Sequence, residues 1–208
     1  MLPMPSPGEL ARRLPWCVTG LALFGLGIAL IIRADLGLAP WDVFHQGVSD
    51  HVGISIGTVI VIAGLAILAL WIPLRQRIGI GTILNAVEIG VVVALVVDHL
   101  PRTGHLLGRA GYLALAMILL AVGSGMYLGA DLGAGPRDGL MVGLNERFGW
   151  SIRRSRTTIE LSILATGILL GGSIGIGTVV FAVGIGPLVQ LALPRFRLAP
   201  LGERPATA

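Results

Sequence analysis

Six runs of apolar residues take up most of this chain and restrict the folds that are open to it. They cover roughly residues 15–33, 54–73, 77–98, 110–129, 155–171 and 173–194. A helix of about 20 apolar residues crosses the hydrocarbon core of a bilayer, and only helices or closed barrels satisfy their backbone hydrogen bonds there. Because the chain is also 54% hydrophobic and only 12% charged, we predict an all-α, polytopic membrane helix bundle with six spans.

The arginines between these runs predict the orientation of the bundle. With the N-terminus inside, twelve of the arginines fall in inner segments and only Arg33, Arg102 and Arg109 fall in outer ones. Because Lys and Arg concentrate on the cytoplasmic side of short loops, we expect both termini in the cytoplasm. The net charge of +4 does not indicate a nucleic-acid partner, since no basic cluster alternates with aromatic residues.

A nine-residue box occurs twice in the chain. The segment ADLGLAPWD at residues 34–42 returns as ADLGAGPRD at residues 130–138, an offset of 96 residues, and the same offset aligns IGIGT at 78–82 with IGIGT at 174–178. Each copy holds three spans, so the second copy must enter the membrane from the opposite side. Inverted repeats of this kind are common in secondary transporters, with a site between the halves.

The repeat divides the chain into five parts. We predict a cytoplasmic N-terminal tail, a first three-span repeat, an outer linker, a second and inverted three-span repeat, and a cytoplasmic C-terminal tail. Their ranges are 1–14, 15–100, 101–109, 110–195 and 196–208. The bilayer surrounds the spans in this arrangement.

Each box is followed by a segment with the pattern of a short amphipathic helix. Pro40 and Pro136 suit its first turn, where a missing N–H costs nothing. Ser55 and Ser151 are placed to cap the next span. We therefore predict a broken helix after each first span of a repeat, with structural hinges at Gly37, Pro40, Gly133 and Pro136.

Glu88 lies near the middle of the third predicted span, and Asn85 is on the same helical face. Ionisable residues inside spans usually face the bundle interior or a wet cavity. Two interpretations remain open: a carboxylate that binds an ion or solute together with Asn85, or a protonated Glu that is hydrogen-bonded to a neighbouring helix. The repeat partner of Glu88 is Gly184 and that of Glu160 is Gly64, so a site with these carboxylates is asymmetric.

The aspartates of the two boxes also allow two interpretations. They either cap the short helices and satisfy free backbone N–H groups, or they belong to a solute- or ion-binding site at the helix breaks. These residues are Asp35, Asp42, Asp131 and Asp138. Glu160 lies four residues after Arg156, a spacing that favours an ion pair at the inner surface.

No pattern in the sequence indicates catalysis. The chain has no nucleotide-binding glycine loop, zinc-protease motif or Ser-His-Asp set, and the four histidines predicted on the outer surface are not spaced as metal ligands; they are His45, His51, His99 and His105. The single Cys17 excludes an internal disulfide and is interpreted as a packing residue. We therefore expect no enzyme activity, no cofactor and no metal site.

The two boxes and the IGIGT segments together resemble the YczE/YyaS/YitT type of bacterial integral membrane protein, and the YczE-like members in particular. The resemblance extends from about residue 14 to residue 193. It implies a multi-span protein of the bacterial cytoplasmic membrane, but no substrate or activity. In the second box Arg137 replaces Trp41, so we assign any role of that aromatic side chain to the first half.

Two functions fit these observations. The first is a small-molecule or ion permease that uses alternating access, with Glu88 and Asn85 near the midplane and the two boxes as gates. The second is a membrane scaffold or accessory protein that assists a partner membrane or biosynthetic system and transports nothing. The inverted repeat favours the permease, whereas the small size favours the scaffold and leaves room for a homodimer.

Overall fold

The computed structural model describes residues 5–199, and this part of the chain is helical throughout, with short connections. The helices are α1 (Pro7–Ala34), α2 (Pro40–Val52), α3 (Ile56–Leu74), α4 (Ile80–Val96), α5 (Leu106–Gly129), α6 (Pro136–Phe148), α7 (Ile152–Leu169) and α8 (Ile176–Phe196), with a 3₁₀ turn at Val97–His99. The predicted all-α class is confirmed. Helix α1 begins inside the predicted N-terminal tail, while residues 1–4 and 200–208 of the two tails lie outside the described range.

Five of the described helices are long and apolar enough to cross a membrane: α1, α3, α4 with the 3₁₀ turn, α5 and α8. Helix α7 covers the fifth predicted span but does not meet the same composition, because Arg153, Arg154, Arg156 and Glu160 lie within it. A sixth span therefore stays a prediction. The other predicted spans match their helices to within a few residues at most ends, and α1 extends furthest beyond its prediction.

The starts of the short helices and of the helices after them follow the predicted local rules. Pro40 and Pro136 occupy the first turns of α2 and α6. Ser55 accepts a hydrogen bond from the Thr58 N–H at 3.2 Å, and Ser151 accepts one from the Arg154 N–H at 3.2 Å. The first N–H groups of a helix have no helical partner. Proline in the first turn loses no hydrogen bond because it has no N–H, and serine at the N-cap accepts a hydrogen bond from one of these groups.

Each box forms a tight turn that docks on the other half of the chain. Gly37 (φ +104°) lies against Gly175 at the start of α8, and Gly133 (φ +129°) lies against Gly79 at the start of α4. The Gly177 N–H donates to the Leu36 carbonyl at 2.7 Å and the Gly81 N–H donates to the Leu132 carbonyl at 3.0 Å. Left-handed backbone with so close a neighbour favours glycine.

Helices α1 and α5 form the centre of the bundle and run in opposite directions. Gly20 packs on Gly123, whereas Gly27, further along α1, packs on Ala116, which is earlier in α5. Small residues allow such close approach of two helix backbones.

Two arginines reinforce this central pair at its ends. Arg13 donates to the carbonyl of Ala130, just after α5, at 2.9 Å, and Arg109 donates to the carbonyl of Ala34, at the end of α1, at 2.8 Å. A cation at a helix C-terminus satisfies free carbonyl groups and suits the helix dipole. Arg13 and Arg109 are 96 residues apart, as are Ala34 and Ala130.

The packing differs between the last two helices of each half. Helix α3 packs closely on α4, where Gly57 lies against Gly90 and Gly64 lies against Ala86, but α7 and α8 make no comparable contact. At the positions that correspond to Gly57 and Gly64, α7 carries Arg153 and Glu160. Large charged side chains cannot reproduce a glycine contact between helices, which accounts for the separation of α7 from α8.

Candidate functional site

A cavity of about 410 Å³ lies between the two boxes. The starts of α2 and α6 supply its central polar residues, because each box turns the chain at the end of a long helix and directs the next helix inward. These residues are Trp41, Asp42, Arg137 and Asp138, and the walls include residues of α1, α3, α4, α5, α7 and α8. The cavity size is within the range of small-molecule sites.

The side chains of Trp41 and Arg137 stack on each other in this cavity. The guanidinium carbon of Arg137 is 4.4 Å from the centroid of the Trp41 ring, which is a cation–π distance. Arg137 makes no hydrogen bond or salt bridge to any described residue, although it lines the cavity. The five N–H donors of the guanidinium are therefore available to a ligand or to water.

Asp42 and His45 form a buried pair on α2, one turn apart. Nδ1 of His45 donates to Oδ1 of Asp42 at 3.2 Å, and both side chains are almost completely buried. The predicted surface position of His45 is therefore wrong. The fold of the first box turns α2 inward, so that this residue faces the cavity instead of the outer solution.

Three polar groups converge beside Gly135. A methyl group placed on Gly135 would lie 3.2 Å from Oδ2 of Asp138, 3.3 Å from the hydroxyl oxygen of Tyr127 and 3.4 Å from Nδ2 of Asn85. The Tyr127 hydroxyl donates to Oδ2 of Asp138 at 3.3 Å. The three groups therefore lie close together on the cavity wall at the start of α6.

The far wall of the cavity includes an ion pair on α7. Nε of Arg156 donates to Oε1 of Glu160 at 2.9 Å, so the predicted pair is present. Both residues line the cavity, on the side where α7 stands apart from α8. Aliphatic and aromatic side chains complete the walls, among them Ile60, Ile67, Ile89, Phe181 and Ile185.

Burial changes the pKa of three ionisable groups on α2 and α6. It lowers the pKa of His45, which the hydrogen bond to Asp42 opposes, so the neutral imidazole is favoured. It also lowers the pKa of Arg137, against the effect of Asp42 and Asp138. The side chain of Asp138 is exposed to the open cavity, yet desolvation by the surrounding protein raises its pKa, against the effects of Tyr127 and Arg137.

The structure brings together only part of the site that the sequence predicted. Asn85, Asp42 and Asp138 line the cavity, as do Pro40 and Pro136 of the four predicted hinges, while Gly37 and Gly133 form the docked turns. Glu88 is on α4 but is not among the residues that line this cavity; it lies near Cys17 of α1.

Asp35 and Asp131 lie at the ends of the long helices α1 and α5, outside the cavity, and both are exposed. Asp35 accepts a hydrogen bond from Arg109 at 2.9 Å. The prediction that the box aspartates cap the short helices is wrong for the N-caps, which are Ala39 and Gly135 and make no side-chain cap bond. Asp42 and Asp138 occupy the first turns of α2 and α6, as the positions of Pro40 and Pro136 in the sequence predict, and negative charge there suits the helix dipole.

Sequence reasoning missed the stacked pair and the two residues that support the carboxylates, His45 and Tyr127. A signal for the pair was available, because Trp41 and Arg137 are repeat partners and lie where two related boxes would meet. Within residues 5–199, no group of three or more His, Cys, Asp or Glu side chains is arranged to hold a metal ion.

The chain is similar to several known proteins. Residues 11–194 match the model of a family of unknown function, DUF6198. An uncharacterized protein of Haemophilus influenzae is 39% identical over 83% of this chain and 79% of its own. The uncharacterized membrane protein YczE of Bacillus subtilis is 35% identical over 90% of this chain and 88% of its own.

A further relative, the uncharacterized protein YyaS of Bacillus subtilis, is 26% identical over 84% of this chain and 89% of its own. No solved structure matches the chain. The similarity to YczE and the apolar helices together show a multi-pass integral membrane protein. The match over most of its length shows that the chain belongs to the family of unknown function DUF6198.

Proposed function

We propose that this protein is a permease for a small solute and works by alternating access. The observation that carries the proposal is the cavity, because the corresponding residues of both boxes line it together: Trp41 and Asp42 from one half, Arg137 and Asp138 from the other. In transporters built from inverted repeats, the solute site lies between the halves and beside broken helices. The present cavity has both properties.

The contacts between the halves support an inverted repeat. Arg13 donates to the carbonyl of Ala130, and Arg109 donates to the carbonyl of Ala34. In the same way, the turn of each box accepts a hydrogen bond from a helix start in the other half, at α8 and at α4. Reciprocal contacts of this kind are expected when a two-fold axis relates two copies. The proposal includes α7 as the sixth span, because three spans per copy give the second copy its opposite orientation, and it places both termini in the cytoplasm of a bacterial cell.

A membrane scaffold or accessory protein is the second candidate, and the charge on α7 favours it. Arg153, Arg154 and Arg156 are exposed at the start of this helix, and exposed arginines are common in recognition of acidic partners. The two candidates differ in their demand on the cavity. A permease must expose it to water on each side of the membrane in turn, whereas a scaffold has no such requirement.

Labelling of a cysteine in the cavity tests the permease. Asn85→Cys places a thiol on the wall, in a Cys17→Ala background, because Cys17 is completely buried and alanine fits its place. Membrane-impermeant thiol reagents are applied separately to the two faces of sealed vesicles. Val91→Cys on the same helix is the matched control, since Val91 is exposed on α4 and is not among the residues that line the cavity.

We expect Asn85→Cys to react from both faces and Val91→Cys, which faces lipid, to react from neither. Reaction of Asn85→Cys from one face only, in folded protein, would contradict alternating access. No reaction from either face would contradict any solute pathway and would favour the scaffold.

A further inference from the structure

The most unusual group in the cavity is the guanidinium of Arg137. Its central carbon lies over the Trp41 ring, 4.4 Å from the ring centroid, and its N–H groups have no hydrogen-bond acceptor among the described residues. A planar guanidinium binds a carboxylate with two parallel hydrogen bonds. Stacking on an aromatic ring leaves the edge of the guanidinium, where its N–H groups point, free for such a partner.

The carboxylates of the cavity are engaged to different extents. Asp42 accepts from His45 and Glu160 accepts from Arg156 at 2.9 Å. Asp138 accepts only from the Tyr127 hydroxyl at 3.3 Å, through Oδ2. Each of these carboxylates has a second oxygen that accepts no hydrogen bond from a described residue, and Asp138, whose single bond is the longest of the three, is the one next to Arg137.

The charges of the cavity argue against a ligand with several negative charges. Three carboxylates and two guanidinium groups line it, and the imidazole of His45 is favoured as neutral. A ligand with one negative and one positive group adds no net charge to the site, so it avoids the cost of an unpaired buried charge.

We propose that the cavity binds a small zwitterion of the amino-acid type, with its carboxylate on Arg137 and its ammonium group on Asp138. This inference rests on the proposed function, because it names the class of solute that the permease would carry. The ammonium end then lies at Asp138, on the part of the cavity wall to which Tyr127 and Gly135 also belong. The apolar walls that include Ile60, Ile89 and Phe181 receive the side chain of the ligand.

Equilibrium binding to the purified full-length protein in detergent tests this proposal without any need for transport. The probes are the common amino acids from glycine to tryptophan, followed by the amine and the acid that lack one charged group of the best binder. For leucine these analogues are 3-methylbutylamine and 4-methylpentanoate. We expect the zwitterion to bind at least about tenfold more tightly than either analogue, since each lost charged hydrogen-bond pair reduces affinity about 10- to 100-fold.

Two variants, each with one substitution in the cavity wall, test whether the ligand binds in the cavity. Arg137→Gln is expected to weaken binding about 10- to 100-fold. Arg154→Gln is its matched control, because Arg154 also stacks on a tryptophan, Trp150, at 4.5 Å but is not among the residues that line the cavity. Gly135→Ala places one methyl group 3.2 Å from Oδ2 of Asp138, at a backbone φ of −62° that alanine accepts, so it should hinder the approach of an ammonium group to Asp138 and reduce binding.

Equal binding of the zwitterion and one of its single-charge analogues would overturn the proposal, as would full binding by Arg137→Gln. Absence of binding by every probe up to about 1 mM, in folded protein, would also overturn it. These failures are separate from failure of the permease. If the zwitterion binds but Asn85→Cys reacts from one face only, the ligand assignment stands and transport is contradicted. If Asn85→Cys reacts from both faces but no zwitterion binds, the permease stands and the ligand assignment is contradicted.

Discussion

Residues that are equivalent by sequence have different chemical roles at the centre of this protein. Trp41 and Arg137 occupy the same position in their boxes, yet one provides an aromatic face and the other a charge that rests on it. Asp42 and Asp138 are likewise equivalent, but Asp42 is paired with His45 while Asp138 has only a tyrosine hydroxyl. Positions that match between the two boxes in sequence therefore differ in their chemistry.

At this scale, the predictable features were local ones. The N-caps Ser55 and Ser151 and the prolines at the first turns were recognised because their partners are within a few residues. The burial of His45 and the stacking of Trp41 on Arg137 depend on contacts between distant segments, which amphipathic patterns in a short helix do not specify. Glu88 was singled out for its charge in an apolar run, but charge alone does not tell which cavity a side chain lines.

The pKa of Asp138 predicts how zwitterion binding depends on pH. An ammonium group binds the ionised carboxylate, and desolvation raises the pKa of Asp138 from its ordinary value. Affinity should therefore be complete at pH values above the raised pKa and fall as the pH decreases through it, at a higher pH than an aspartate in free solution would give. The charged and titratable groups around Asp138 are Tyr127, Arg137, Arg156 and Glu160.

Binding of the best amino acid as a function of pH tests this expectation, with Asp138→Asn as the comparison. The asparagine variant should bind weakly and should lose the acidic decrease in affinity. A decrease that persists unchanged in Asp138→Asn would assign the titration to another group, such as Glu160.

Among the helices, the clearest asymmetry is between the pairs α3–α4 and α7–α8. Gly57 and Gly64 allow α3 to pack closely on α4, whereas α7 carries Arg153 and Glu160 at the corresponding positions. The sequence alone shows that Glu160 stands where the first half has Gly64. Its consequence is a missing helix contact, which appears only when the facing helix is known. The same charged residues make α7 less apolar than the five helices that are long and apolar enough to cross a membrane.

Substitution of equivalent glycines on α4 and α8 tests this difference. Gly90→Ala directs a methyl group at the backbone of Gly57, whereas Gly186→Ala meets no atom within 4 Å. Overpacking of a close contact costs about 1–3 kcal/mol. We therefore expect Gly90→Ala to lower the thermal unfolding temperature in detergent and Gly186→Ala to leave it unchanged or raise it slightly. An equal loss in both variants would contradict the asymmetry.

The whole molecule has a closely packed centre, α1 on α5, and two flanks that differ in packing, α3 with α4 and α7 with α8. Close contacts of α1 on α5, strengthened by Arg13 and Arg109, hold the middle. One flank is closed by α3 on α4, and the other is open between α7 and α8, where Arg156 and Glu160 line the cavity. If the halves are inverted copies, the two flanks can exchange their arrangements: α3 and α4 move apart while α7 and α8 come together. This change opens one side of the cavity and closes the other.

At this scale the apolar runs predicted the class of fold and most helix positions, because hydrophobic length is set by the bilayer. The repeat offset also predicted which segments would be equivalent. Neither pattern specified that the flanks would differ, since that difference depends on side-chain size at a few helix contacts.

The most direct test of the central claim is a measurement of distances across both flanks by spin labels in the reconstituted protein. One pair of labels is at Thr158 and Val183, on α7 and α8, and the other is at their repeat partners Ile62 and Val87, on α3 and α4; all four residues are exposed. We predict two distances for each pair, with opposite populations in the two flanks and a shift between them when the ligand is added. A single fixed distance in each pair, short across α3 and α4 and long across α7 and α8 under every condition, would contradict alternating access.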